Sequence, residues 1–229
     1  MKKVSLVVLN YNGLLHLKEY FDSVFKQTLI PDEIIMFDNL SKDGSREFVK
    51  ENYTKVKIIT EDSYNTGTAA GSNIAFSHSS GDYVVFQSND IKLERNCIKE
   101  LVRILDANKD VGIATSVLLN YYKDQKTGEH LIDNAGGIVD IFGFGMQKYP
   151  GMRRETIPES GEVFFTYGGS FIIRRSLFEK IGGFDKRYFT LNDDIDLSWR
   201  ARLQGYRVMY SKKSIVYHKV SATLGKLYN

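Results

Sequence analysis

A single cysteine, Cys97, and only three prolines occur in 229 residues. One cysteine cannot close a disulfide within the chain, and no Cys/His spacing suits structural zinc. Low-complexity stretches and period-length repeats are absent too, so nothing marks a linker. Apolar runs are short. The first is broken by Ser5 and stops at Asn10-Tyr11-Asn12, too brief for a signal peptide or a membrane span. The net charge is only +3, and the basic pairs Arg153-Arg154, Arg174-Arg175 and Lys212-Lys213 are scattered, so nucleic acid is not an expected partner. The chain reads as cytoplasmic, with peripheral docking at the inner face of a membrane left open. What is present is ordinary: 42% hydrophobic and 26% charged residues, in a length that can bury a sizeable core.

The first half alternates strand and helix. Val4 to Leu9 is an apolar run of the kind a strand covered on both faces requires. Leu14, Leu17, Phe21 and Val24 then form one helical stripe. Strands are expected over Glu33–Phe37, Val56–Ile59, Asp82–Gln87 and Val111–Val117. The helices between them carry Phe48 and Val49, a segment from Asn65 to about Ser80, and Ile98, Leu101, Val102 and Leu105. Such repeats make a doubly wound, mainly parallel α/β sheet with right-handed crossovers. Tyr121 to Gly161 is glycine-rich and is expected to hold hairpins and a mobile loop. One domain is expected over residues 1–229, with a boundary between its halves near 117 and a smaller β region in the second half.

In a parallel sheet the carboxyl ends of the strands line one edge, where ligands bind. Asn10, Asp38 and Asp90 each follow the last apolar residue of a strand, so they should converge there. Three more carboxylates crowd into Asp193-Asp194-Ile195-Asp196, where a loop becomes a helix. Like charges so close disfavour joint ionisation, so at least one of these acids should be more basic than usual. A helix start alone also favours aspartate. The usual nucleotide signatures are missing: there is no G-x-G-x-x-G after the first strand, no G-x-x-x-x-G-K-[ST] and no G-x-S-x-G elbow.

Taken in order, these residues resemble the inverting nucleotide-sugar glycosyltransferases of family 2, with their GT-A fold; a rhamnosyltransferase-like branch fits as well. The likeness runs through Val4–Asn12, Asp38-Asn39-Leu40-Ser41-Lys42-Asp43-Gly44-Ser45, and Asn65-x-Gly67-x-x-x-Gly71-x-Asn73. It continues through Ser88-Asn89-Asp90 in the D-x-D place, Gly168-Gly169-Ser170, Gly182-Gly183-Phe184-Asp185, Asp193-Asp194 and His218. The resemblance implies that Asn10, Tyr11, Asp38, Asp43, Asn65 and Asn89 contact the nucleotide, with Gly168 and Gly169 giving the donor sugar close backbone approach. It implies that Asp90 and His218 hold Mn2+ or Mg2+ against the diphosphate, although Ser88 replaces the first acid of the D-x-D. Asp194 takes the place of the catalytic base beside Asp193, and Asp196 braces the helix. The implied partners are a nucleoside-diphosphate sugar, UDP- or dTDP-linked by preference, and a glycan or lipid-linked acceptor in polysaccharide, cell-wall or glycolipid synthesis. Two other classes remain. A sugar-nucleotide pyrophosphorylase would need a glycine- and arginine-rich loop where Asn10–Leu14 stands, and a catalytically silent member would bind donor without transfer.

Overall fold

Alternation along the strands decides the layering. In β1 (Val4–Asn10) the side chains of Val4, Leu6 and Val8 enter one buried cluster while Val7 enters another. In β2 (Glu33–Asn39) Ile34 and Met36 face the first cluster, and Ile35 and Phe37 the second. The sheet is therefore buried on both faces, as period-two geometry demands of an all-apolar strand. The first face is covered by α1 (Leu14–Phe25), α2 (Ser45–Asn52) and α4 (Cys97–Ala107). The second is covered by α3 (Gly67–Ser77), α5 (Arg175–Lys180) and α6 (Asp193–Leu203). This computed structural model describes residues 2–219.

The remaining strands are β3 (Val56–Glu61), β4 (Tyr83–Ser88), β5 (Ile91–Leu93), β6 (Val111–Asn120), β7 (Ile132–Asn134), β8 (Gly137–Val139), β9 (Gly145–Gln147), β10 (Ser160–Val163), β11 (Ser170–Arg174) and β12 (Arg207–His218). Ten of the twelve form one sheet along the path β10-β12-β6-β11-β4-β1-β2-β3, with β5 and β7 paired at its margin, while β8 and β9 make a separate hairpin. The pairs β4-β1, β1-β2, β2-β3 and β6-β12 are parallel. Strand β11 lies antiparallel between β4 and β6. The architecture is the expected mixed α/β one, with a large and mostly parallel central sheet.

Two expected boundaries shift by three residues, and others by one or two. Strand β6 runs three residues beyond Val117, because Val117 to Asn120 continue the pairing with β12 past a bulge. Helix α3 stops at Ser77, where His78 and Ser79 bond back to Ala75 and Phe76 in a tightened last turn. Cys97 is buried against the hydroxyls of Ser116 and Ser214.

Candidate active site

Parallel register brings the strand ends together, with Asn10 opposite Asp38 and Leu9 opposite Ser88. The Asn10 amide donates to Asp38 Oδ2 at 2.8 Å and to Ser41 Oγ at 3.0 Å, and its carbonyl oxygen accepts from Asn89 Nδ2 at 2.6 Å. Asp38 Oδ1 accepts from the Ser41 N–H and from Arg46 Nε, at 2.9 and 2.7 Å. The Asp38 side chain has no exposed surface, and Arg46 turns its other end to Asp62 at 2.6 Å. Tyr11 is half-buried beside this corner. Asp43 ties two helix starts together, accepting from the Leu14 N–H at 2.9 Å and from the Ser45 N–H and hydroxyl. Burial alone would raise the Asp43 carboxyl, but these hydrogen bonds outweigh it and hold the group below the usual carboxylate range. Asn65 accepts from Asn39 and from the Gly67 N–H. Of the expected nucleotide residues, Asn10, Asp38 and Asn89 thus bond to one another in this corner, while Asp43 and Asn65 are tied to neighbouring helix starts.

Beside it lies a three-membered chain. His218, the last residue of β12, places Nδ1 2.8 Å from Asp133 Oδ2 and Nε2 3.6 Å from Asp90 Oδ2. Burial alone would lower the imidazole, yet Asp133 and Asp90 outweigh it and raise it to about 9. Burial would likewise raise the Asp90 carboxyl, but His218 and Ser88 hold it low. Asp90 Oδ1 is a buried acceptor with no hydrogen-bond partner. An orphaned carboxylate oxygen costs free energy unless something positive meets it. Together with the imidazole nitrogen, it is a donor set that suits Mn2+ or Mg2+. Among the described residues no group of three His, Cys, Asp or Glu side chains is placed to hold a metal ion by itself.

The third component enters from the second half of the chain. Leu191 and Asn192 are both left-handed, with φ of 68° and 61°, and they swing the chain into α6. Asp193 then turns toward α3, accepting from Thr68 Oγ1 at 3.0 Å. Asp194 turns the other way, accepting from the Gly168 N–H at 2.9 Å and from its neighbour Ile195 at 2.8 Å. Burial raises both carboxyls above their ordinary range. That of Asp194, where the Asp193 charge adds to the effect, reaches about 6. Desolvation thus leads and like-charge crowding, the one cause that spacing points to, follows. Asp196 pairs with Arg200 through two contacts of 2.9 and 2.5 Å, which fits its expected bracing role. Gly168 stands against Asp194, and a Cβ on Gly169 would meet Leu118 at 2.8 Å.

Tyr167 joins the two acidic groups. Burial pushes its hydroxyl up to about 12, helped by the charges of Asp133, Asp194 and Asp90, and its ring centroid lies 6.1 Å from that of His218. Asp133, Tyr167 and Arg46 were not among the residues expected from sequence. Arg46 did leave a signal, because a cation in the first turn of a helix opposes the dipole and calls for a carboxylate partner. Trp199 is partly exposed and packs edge-on against Phe164. Asn73 bonds both faces of the Phe184 backbone and so pins the Gly182–Asp185 segment.

The loop before α6 depends on one glycine. Gly67 has φ of 79°, and a Cβ there would lie 2.1 Å from the Phe189 carbonyl oxygen. Gly67→Ala is expected to cost about 2 kcal/mol or more through backbone strain and loss of this seat. The change should appear as a lower urea midpoint. An unchanged midpoint would mean that the loop seats elsewhere.

Comparison with known proteins bears on this arrangement. A family model described as glycosyl transferase family 2 matches residues 5–182, and one described as glycosyl transferase family group 2 matches 150–229. The O-antigen chain rhamnosyltransferase WbaN of Salmonella anatum is 24% identical over 225 residues, covering 97% of this chain and 68% of its own. An N-acetylglucosaminyl-diphospho-decaprenol L-rhamnosyltransferase of Mycobacterium tuberculosis is 25% identical over 237 residues, covering 95% of this chain and 76% of its own. Among solved structures, GalNAc-T7 with UDP, GalNAc and Mn2+ superposes with a TM-score of 0.78 at 18% identity, over 95% of this chain and 44% of that one. The mannosyltransferase PcManGT from Pyrobaculum calidifontis, with GDP-Man and Mn2+, gives 0.70 at 19%, over 97% and 58%. This chain thus spans about half the length of those solved chains, and at such identity the likeness is one of fold. With the family model matching the greater part of its length, this chain belongs to glycosyl transferase family 2.

Proposed function

We propose that the protein transfers a sugar from a nucleoside-diphosphate donor to an acceptor hydroxyl with inversion at the anomeric carbon. The observation that carries this reading is Asp194, a carboxyl raised to about 6 that faces, across Tyr167, the Asp90–His218–Asp133 chain. A base poised near neutral pH can take a proton from a hydroxyl and still be ionised in the resting enzyme. Residues 1–117 would bind the nucleotide and 118–229 the acceptor. Asp90 and His218 would hold a divalent cation, manganese or magnesium, which when bound supplies Lewis-acid neutralisation of the diphosphate leaving group. Asp133 would orient His218 through Nδ1, leaving Nε2 free to face the ion. Asp194 would remove the acceptor proton as the hydroxyl attacks opposite the diphosphate, so no enzyme nucleophile is needed. Gly168 would both steady Asp194 through its N–H and keep that side of the crevice free of side chain.

The relatives' names favour a lipid-linked or growing-glycan acceptor in O-antigen or cell-wall synthesis, with rhamnose among the sugars to try first. For the donor we favour uridine or thymidine diphosphate. Asp38 Oδ2 carries only the Asn10 donor, so a pyrimidine imide N–H could complete it once the corner opens. Calorimetric titration with manganese present should give tighter binding of UDP or dTDP than of GDP. Equal or tighter GDP binding would overturn the donor assignment. A turnover assay with the favoured donor tests transfer itself.

A further inference from the structure

One element plays no part in the chemistry above and carries several of the exposed large apolar side chains. It is the β8–β9 hairpin. Its strands pair with each other, Gly137 with Gln147 and Val139 with Gly145, Gly137 alone also bridges to Phe165, and the tip is Asp140-Ile141-Phe142-Gly143-Phe144. Ile141, Phe142 and Phe144 are 93%, 79% and 69% exposed. The one charged side chain of the tip is consumed locally, since Asp140 Oδ1 accepts from the N–H groups of Phe142 and Phe144 at 2.9 and 2.8 Å. From Gly136 to Gln147 no lysine or arginine occurs.

The root of the hairpin is set firmly against the candidate active site. Gly137 exchanges backbone hydrogen bonds with Phe164 and Phe165, and a Cβ on Gly137 would run into the Phe165 ring. A Cβ on Gly145 would lie 2.7 Å from Ile195, the residue after Asp194. The apolar tip is therefore carried on the same elements that carry Tyr167 and Asp194.

We propose that this hairpin is a membrane finger, whose Ile141, Phe142 and Phe144 enter the interfacial layer of a lipid bilayer and hold the Asp194 crevice beside it. Three such side chains present roughly 450 Å² of apolar surface. That is well short of the ~800 Å² per partner of a stable protein pair. A fluid bilayer also accepts an apolar hairpin tip without a matching hollow. A lipid-linked acceptor would reach the crevice from that side. The inference draws on the transfer reading for this purpose, and on geometry for the finger itself.

Because the tip lacks cations, binding should follow apolar insertion rather than charge. The whole chain should float with phosphatidylcholine vesicles, with little change on adding anionic lipid or raising salt. Replacing Ile141, Phe142 and Phe144 together by serine should lower the vesicle-bound fraction at least tenfold. Leu203→Ser, an exposed leucine at the far end of α6, should leave it unchanged. The single variants Ile141→Ser and Phe142→Ser should each lower binding and keep the test readable if the triple variant fails to fold. Three flotation results would overturn the proposal: no flotation of the wild type, equal flotation of the serine variants, or binding that demands anionic lipid and vanishes in salt. The last would point to the groove between α1 and β5, lined by Lys18, Lys26, Lys92 and Arg95. A wild-type dimer that the serine variants abolish would make a second copy the occupant instead. Flotation needs neither donor nor acceptor, so its failure leaves the transfer reading intact, and an inactive enzyme that floats leaves the finger intact.

Discussion

Asp194→Asn is expected to cut the transfer rate by about 10²–10⁴, the usual worth of general-base catalysis. Asparagine keeps the shape and one acceptor for the Gly168 or Ile195 N–H, but it cannot take a proton. Donor affinity should change little, because the polar corner around Asn10 and the Asp90–His218 chain lie on other elements. Two pH readouts separate a catalytic role from a structural one. The wild-type carboxyl titrates near 6, so kcat/KM should fall about tenfold per unit below that pH, and the residual rate of the variant should lack this limb. Stability should move oppositely. An acid whose folded pKa is raised from 3.8 to about 6 favours the folded state when protonated. The penalty for ionising it therefore grows as pH rises from about 4 and is complete above about 6, on the order of 2–3 kcal/mol. The stability difference between wild type and Asp194→Asn should carry this slope together with that of Asp193, the carboxylate coupled to it, since the uncoupled carboxylates cancel in the subtraction.

The neighbours sharpen the assignment. Asp193 faces Thr68 on α3, so Asp193→Asn should mainly loosen the loop against α3. Asp196 is spent on Arg200, which also reaches the Ile181 carbonyl, so Asp196→Asn should act through stability or positioning. If Asp194→Asn transfers sugar at near the wild-type rate while Asp193→Asn is dead, the base is the other member of the pair.

How much of this was legible in the sequence depended on whether a signal was local. The strands β1, β2 and β4 announce themselves as apolar runs, and parallel pairing alone then dictates that Asn10, Asp38 and Ser88-Asn89-Asp90 meet. The caps and turns at Asp43 and Asn65 follow from short-range hydrogen bonding. Strand β11 is only five residues long and intrudes antiparallel between β4 and β6, a pairing that no local pattern encodes. Asp133 sits in a three-residue strand and reaches His218 across 85 positions, so its role is invisible without the fold. Tyr167 has no motif of its own, and its surroundings come from three separate segments. The order of causes behind the Asp194 shift was illegible for the same reason. Spacing shows the neighbouring charge, whereas burial comes from α6 packing beside Tyr167 and Gly168.

Asp133 also separates a working ion site from an idle histidine. In the proposed arrangement Asp90→Ala and His218→Ala each remove a ligand, and manganese-dependent binding of the nucleoside diphosphate should weaken on the order of 10²-fold or more. Asp133 touches no ligand, yet it accepts from Nδ1 and so fixes which nitrogen of His218 faces Asp90. Outer-shell partners of this kind are worth about 10–100-fold in metal affinity. Asp133→Ala should fall in that range, and Asp133→Asn should lose less, because its amide oxygen can still accept the proton while the charge is gone. Binding measured without metal should barely differ among the four variants, which distinguishes loss of the ion from collapse of the nucleotide corner. The orphaned Asp90 Oδ1 gives an independent check, since a buried acceptor without a partner should cost stability until a cation arrives. Manganese should therefore raise the melting temperature of the wild type and leave that of Asp90→Ala where it was. Full manganese dependence in both Asp90→Ala and His218→Ala would place the ligands elsewhere. An Asp133→Ala enzyme with undiminished manganese affinity would make the Asp133–His218 pair a structural clamp that merely borders the site.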